Sequence, residues 1–267
     1  MAKIHPTAIV DPQAELGPDV EVGPYAIIEG GAVIGEGTKI YAHAYISRYT
    51  RLGCHCLVHV GAVLGTDPQS INFDPNLDTY VEIGDNNVIR EYVTIHRSTD
   101  PEIPTKVGNH NFIMAQSHIA HDVQVCDHVT IANNAMIAGH VTIGSHSFIS
   151  GGVPIHQFVR IGEYCFLSGW CAVSMDVPPF MISQGPNTIK AVNVVALKRA
   201  NFSPEEIEEI RKAFKCLYRS NSTLKEALEE LEKMESPHGH IKTLIEFIRD
   251  SKRGICKYAK NSAAIQM

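Results

Sequence analysis

The sequence predicts a mainly β protein, a parallel β-helix followed by an α-helical tail. Three observations carry that expectation. An aliphatic residue returns at every sixth position, from Ile4, Val10 and Leu16 on to Val58 and Leu64; the rhythm resumes at Ile83, Ile89 and Ile95, and then runs from Val107 through Ile119, Ile137 and Ile155 to Val173. Glycine often follows the aliphatic residue, as in Leu16-Gly17, Ile34-Gly35 and Ile143-Gly144. A period of six matches neither a helix face nor an alternating strand. It is the mark of a coil built from three short strands, each hexad forming one side of a prism. Residues 18 apart then lie one above another.

Residues 1–186 are assigned to the β-helix. Two stretches interrupt it, residues 70–82 and residues 100–106, both rich in Pro, Asp and Asn and therefore read as loops. Let the faces of Val107, Ile113 and Ile119 be first, second and third. Counting back through both interruptions places Ile95 and Leu64 on the third face. Both loops thus leave from one edge, and insertions on solenoids gather on the binding side. Residues 187–267 are read as a helical domain. Ser203-Pro204-Glu205-Glu206 combines a capping residue, Pro at the first helical position and Glu three residues after the cap. That helix is expected to reach about Tyr218, a second to follow Ser222 or Thr223, and a third to cover roughly residues 239–250. Such a tail can cover the open end of the solenoid. Few charges stand at the outward positions of hexads 107–172, so side-by-side association is expected.

Of the 267 residues, 44% are hydrophobic and 19% charged, and the formal net charge is −6. That balance fits a soluble globular protein and argues against nucleic acid as a partner. No apolar run approaches the roughly 20 residues of a membrane span. The N-terminus enters the repeat at Ile4 with no signal-peptide core. The seven cysteines read as reduced thiols, so a cytoplasmic location is expected. There is no P-loop, dinucleotide fingerprint or Ser-His-Asp set.

The reactive side chains are histidines, 14 in all. His118 ends one hexad and His121 is third in the next; His140 and His156 belong to hexads beginning 18 and 36 residues after Ile119. These four fall on successive coils of one edge, and His96 sits on the same face one coil earlier. Coils rise about 4.8 Å each, so the ladder spans roughly 10–15 Å. A neutral imidazole oriented by a carboxylate or carbonyl is a suitable general base. Asp122 follows His121 directly. Neighbours in a strand point apart, but at a prism corner the two side chains can meet. A zinc trio of His118, His140 and His146 is a rival, although His146 lies one face further on.

The run His118-Ile119-Ala120-His121-Asp122, then Ile131-Ala132-Asn133-Asn134, Ala138-Gly139-His140-Val141 and Ile155-His156-Gln157-Phe158, resembles the bacterial UDP-N-acetylglucosamine O-acyltransferases. Asp176-Val177-Pro178-Pro179-Phe180, Gln184-Gly185 and Leu197-Lys198-Arg199 extend the resemblance over nearly the whole chain. It implies a left-handed β-helix, an exception to the usual crossover hand, and a homotrimer with sites between subunits. It also implies transfer of an (R)-3-hydroxyacyl group from acyl carrier protein to the 3-position of UDP-N-acetylglucosamine, the first step of lipid A synthesis. Neither cofactor nor metal is expected.

By the same resemblance, His121 is the general base beside Asp122, and Gly139 gives its N–H to the oxyanion. Gln69, His118, His140, His156, Gln157, Asn193 and Arg199 bind substrate. Gly169 and its neighbour Trp170 fall where acyl length is set. Lys198, Arg199, Arg211, Lys212, Lys215 and Arg219 offer a basic patch to the acidic carrier protein. The chain departs from the family pattern at Ser70, Ile71 and Asn72, at Val195 and at Ala200. These departures point to a changed acceptor, such as a 3-amino sugar nucleotide. Other readings of the same scaffold are a zinc hydratase of carbonic-anhydrase type and a non-catalytic paralogue.

Overall fold

The computed structural model describes residues 1–220 and 222–258. Short strands, most of two residues, stack into three parallel sheets that form the sides of a left-handed prism. The first and third faces hold eight strands each and the second twelve. Register follows the hexads: Ile113 pairs with Ile131, Ile119 with Ile137, and Val125 with Ile143. Those aliphatic side chains point inward and fill the prism; Ile95, Ile113, Ile119, Ile131 and Ile137 are wholly buried. Extended backbone cannot turn a corner every six residues without a change of conformation, and here one corner residue takes a positive φ. Gln116 (φ 61°), Asp122 (61°), His128 (58°), Asn134 (59°), His140 (59°) and His146 (60°) repeat in step. Asn, Asp and His tolerate this left-handed conformation better than most residues. Six histidines, at 43, 55, 110, 128, 140 and 146, stand at such corners. Much of the richness in histidine is therefore corner chemistry rather than catalytic chemistry.

The two loops leave the third face, as the phase requires, though earlier than their Pro- and Asp-rich stretches suggest. Leu64 pairs with Ile95, and Ile95 with Ile119. The first loop occupies residues 67–80, between the strands Val63–Thr66 and Val81–Ile83; the second occupies residues 97–104, between Thr94–His96 and Thr105–Val107. The ladder carries on to Thr66 and His96 past an irregularity at Gly65, which adopts φ 77° and would drive a Cβ to within 2.3 Å of Thr50 Oγ1.

The tail begins with helix α1 (Val194–Arg199), continues with α2 (Pro204–Arg219) and α3 (Leu224–Leu231), and ends with α4 (His240–Arg249). Ser203 and Thr223 each close a reciprocal capping box with the Glu three residues on, at Glu206 and Glu226. Helix α4 starts at Gly239, which has no capping side chain; the buried Glu209 of α2 supplies the acceptor, 3.0 Å from His240 N. Sequence periodicity missed α1, which is a single turn and a half. It also missed the strands Thr188–Val192 and Lys257–Tyr258, which extend the second face into the tail.

The three faces differ outside. Arg51, Glu82, Lys106, Gln124 and Arg160 point out from the first face. Leu57, Val88, Phe112, Phe148 and Phe166 point out from the second. Ile27, Val63, Met136 and Pro154 point out from the third. Over residues 107–172 the outward strand positions of the second and third faces carry no Lys, Arg, Asp or Glu, whereas nearer the N-terminus Lys3, Glu21 and Lys39 point out from the second face.

Candidate active site

A groove of about 300 Å³ lies on the third face, bounded by Gln69 of the first loop and by His118, His121, Met136, Gly139 and Gln157. Its reactive centre is the corner between the third and first faces. Here His121 Nδ1 lies 2.6 Å from Asp122 Oδ2, so the corner does bring the adjacent side chains together. The backbone turns at Asp122, with φ 61°, and that turn folds its carboxylate back toward the imidazole. Burial alone would raise the Asp122 pKa; hydrogen bonds from His121, Ser98 and Thr99 outweigh it and hold the carboxyl well below the usual carboxylate range. An ionised carboxylate accepts, so Nδ1–H of His121 donates, and Nε2 is left free to take a proton.

Glycine at 139 is a steric necessity. A Cβ there would lie 2.6 Å from Cε1 of the His121 ring. The Gly139 N–H donates to no protein group among the described residues, so it is available to an anion beside the His121 ring. His140 Nε2 is 3.5 Å from Asp122 Oδ2, and its ring stacks on Phe158 at 4.4 Å. His121, Asp122 and His140 therefore offer three donor atoms within 4.8 Å of one another. The 2.6 Å contact in this set is a hydrogen bond, closer than the ~3.3 Å that separates two ligands of a tetrahedral zinc. The arrangement is a hydrogen-bonded dyad with a second imidazole above it. His146, the third member of the rival trio, stacks between His128 and Tyr164 at the corner of the first and second faces.

His118 lies on the strand below, with Nδ1 2.7 Å from Thr94 Oγ1 and its ring edge-on to His96 at 5.0 Å. Burial first, and then the neighbouring His96 and His121, push its pKa down to about 4, so it is neutral at pH 7. His96 is buried and its pKa is also lowered, chiefly by desolvation; its Nδ1 has no hydrogen-bond partner among the described residues. His156 is exposed, its Nδ1 3.1 Å from the carbonyl of Gln157.

Comparison with known proteins supplies the deciding observation. The chain is 44% identical over 259 residues to the acyl-[acyl-carrier-protein]–UDP-N-acetylglucosamine O-acyltransferase of Thermodesulfovibrio yellowstonii, covering 96% of this chain and 100% of that one. It belongs to the UDP-N-acetylglucosamine O-acyltransferases. The Syntrophobacter fumaroxidans enzyme of the same name is 40% identical over 96% of this chain and all of its own length. Residues 176–256 match the second domain of the UDP-N-acetylglucosamine O-acyltransferase family, and residues 13–48 and 104–139 match the bacterial transferase hexapeptide repeat. The solved UDP-N-acetylglucosamine acyltransferase of Francisella novicida superposes with a TM-score of 0.92 at 34% identity, over 99% of both chains. That of Campylobacter jejuni gives 0.89 at 38%, over 96% of this chain and all of its own.

Not every residue singled out in this O-acyltransferase shares the groove. Asn193 and Arg199 border a separate groove of about 610 Å³ on the second face, with His128, His146, Tyr164 and Phe166. The Asn193 amide is committed to the fold: Oδ1 accepts from Ala196 N at 3.3 Å as the cap of α1, and Nδ2 donates to the Tyr164 carbonyl at 2.8 Å. Arg199 is exposed in the last turn of α1. Gly169 and Trp170 occupy the corner between the second and third faces, where Trp170, 81% exposed, lies over Gly152. Gln69 is the one residue of the first loop that borders the His121 groove. Ser70, Ile71 and Asn72 point into solvent.

Three residues escaped the sequence reading. Arg97 is 1% exposed, although it is an arginine in a loop. Its guanidinium binds Asp67 Oδ1, the carbonyls of Leu77 and Pro75 and the Thr79 hydroxyl, and lies 3.7 Å over the Tyr49 ring. It pins the first loop, and with it Gln69. Ser98 and Thr99 come next and bond Asp122. Their spacing from Asp122, 24 and 23 residues, has meaning only once the second loop's length is subtracted.

Proposed function

We propose that this protein transfers an (R)-3-hydroxyacyl group from acyl carrier protein to the 3-hydroxyl of UDP-N-acetylglucosamine, by direct attack. The observation that carries the reading is the His121–Asp122 dyad beside Gly139, whose N–H is unpaired among the described residues, at the wall of one groove. His121 Nε2 takes the hydroxyl proton as the oxygen bonds to the thioester carbon. The oxyanion that forms is held by the Gly139 N–H. Collapse breaks the carbon–sulfur bond, and the imidazolium returns its proton to the departing carrier-protein thiolate. A base of this kind contributes about 10²–10⁴-fold. Gln69, His118 and Gln157 border the groove where the groups would react, and His140 and His156 stand at its edge, next in the chain to Gly139 and Gln157. The names of the relatives, each an O-acyltransferase acting on this nucleotide, support the oxygen acceptor. So does the outward course of Ser70, Ile71 and Asn72, which leaves the groove beside His121 unaltered.

The working unit in this reading is a homotrimer. Over residues 107–172 the second and third faces carry no acidic or basic outward strand residue, which suits a closed ring in which the second face of one copy meets the third face of the next. That contact would join the Arg199 groove of one copy to the His121 groove of its neighbour. Arg199 would then meet the diphosphate, and Gly169 and Trp170 would bound the acyl channel. Lys198, Lys212 and Arg219 supply positive charge for acidic carrier protein, a cytoplasmic partner; Arg211 and Lys215 are each within 3.8 Å of Glu208 and contribute less.

The test is an assay of carrier-protein thioesters of several chain lengths against UDP-N-acetylglucosamine and its 3-amino analogue. Acyl transfer to the hydroxyl acceptor is expected. Transfer to the amine alone would overturn the acceptor, and no transfer from any thioester would overturn the reaction.

A further inference from the structure

We infer that Ser98 and Thr99, in the second loop, are positioning residues for acyl transfer, holding the Asp122 carboxylate so that His121 presents its free nitrogen to the acceptor. The inference rests on His121 acting as general base. A carboxylate that follows its histidine directly in sequence has no reason of its own to keep one orientation, since it can rotate about the Cβ–Cγ bond. Here both oxygens are occupied. Oδ1 accepts from the Ser98 hydroxyl and, at 2.9 Å, from Thr99 N–H; Oδ2 accepts from the Thr99 hydroxyl at 2.7 Å and from His121 Nδ1 at 2.6 Å. The Asp122 backbone is fixed as well, its N–H donating to Thr105 Oγ1 at 2.7 Å. An uninterrupted coil would run from the third face straight into the first and would place no hydroxyl behind this carboxylate. The insertion between His96 and Thr105 brings them there.

The two residues are not equivalent. Ser98 is fully buried and its hydroxyl also lies 2.6 Å from the Ile103 carbonyl and 2.9 Å from Asp100 N, so it shapes the loop as well. The Thr99 hydroxyl has Asp122 as its only protein partner among the described residues, and Thr99 does not border the groove. Removing that hydroxyl should therefore disturb the dyad and leave substrate binding alone.

Steady-state kinetics of the full chain, with an (R)-3-hydroxyacyl carrier-protein thioester and UDP-N-acetylglucosamine, tests this. Thr99→Val keeps the shape and loses the hydroxyl. It is expected to lower kcat about tenfold to hundredfold, the scale of a small misplacement of a reacting group, with both KM values within about twofold of wild type. Thr99→Ser, which restores the donor, should recover most of kcat. A Thr99→Val enzyme with wild-type kcat overturns the proposal. So does a loss that Thr99→Ser fails to recover, because loop packing alone would then account for it. If Thr99→Val does not fold, Thr99→Ala is read by the same outcomes. Absence of turnover in the wild type would instead count against the acyl-transfer reading itself.

Discussion

The corner between the first and second faces and the corner between the third and first are built alike. Each repeats every 18 residues, and each turns through residues of positive φ. Each carries imidazoles. At the first–second corner His110, His128 and His146 stack at 4.9 Å spacing with planes within 4° of parallel, and Tyr164 continues the column at 4.7 Å. At the third–first corner His121 and His140 meet edge to face at 5.2 Å, and His140 alone stacks, on Phe158. The difference is the carboxylate. None of the three stacked histidines pairs with one among the described residues, and Asp127 beside them is spent on Asn109. Asp122 occupies a corner position itself and binds His121. Periodic stacking makes a scaffold out of histidine; a carboxylate at the corner position, beside a histidine one residue before it, makes the dyad on which the proposed mechanism rests.

The comparison breaks if the two columns prove interchangeable. The largest effect is expected at His121: His121→Ala should reduce transfer by about 10²–10⁴-fold, the usual contribution of a general base. His110→Asn keeps a residue that tolerates positive φ and should leave kcat near wild type, and a large loss there in the same assay would end the distinction. Next comes Asp122→Asn, which also keeps a residue suited to φ 61°. It removes the charge that fixes the imidazole, so kcat should drop about hundredfold or more with the fold intact by circular dichroism. Arg97→Met probes the loop rather than the dyad. It leaves the carbonyls of Leu77 and Pro75 without their donor, and a cost of about 2–4 kcal/mol is expected in denaturant unfolding. The KM for the sugar nucleotide should rise more than kcat falls, because Gln69 is carried on that loop.

The smallest effect is in the pH dependence of stability. His118 has a folded pKa of about 4 against an ordinary 6.5, and those of His96 and His146 are lowered too, in each case first by desolvation. The unfolded chain therefore binds more protons between these values, so stability is full above pH 6.5 and declines as pH falls toward 4. His118→Gln should flatten that slope in thermal melts between pH 4 and 6.5. A slope unchanged by it would place the titration elsewhere, in the other column for instance.

The architecture was open to reading because its cause is local and repeated. One inward aliphatic residue per hexad suffices to count coils, and phase carried through both interruptions to Leu64 and Ile95. The nearness of Gly139 to His121 follows from the same arithmetic. What periodicity could not reach lies outside the repeat. Arg97 reads as a surface cation, and only the folded loop shows it buried against Tyr49 and four polar partners, two of them backbone carbonyls. Ser98 and Thr99 are ordinary loop residues until a 24-residue coil brings Asp122 to them. The strands Thr188–Val192 and Lys257–Tyr258 have no six-fold rhythm, because they join the sheet from the tail and not from the coil. The loops begin directly after Thr66 and His96 leave the ladder, whereas composition marks them three residues later, because a bend needs no Pro, Asp or Asn at its first residue.

His96, Arg97, Ser98 and Thr99 are consecutive, and each faces a different part of the site: the His118 ring, the first loop, and the two oxygens of Asp122. Four neighbouring residues thus tie the His118 ring, the first loop and the His121–Asp122 pair to one short stretch of backbone, so a shift of that backbone would be felt at all three. Ser70, Ile71 and Asn72 have none of those ties, and Ile71 stands fully in solvent. The first loop can therefore change at these exposed positions without touching the buried Arg97 that anchors it from the loop next door.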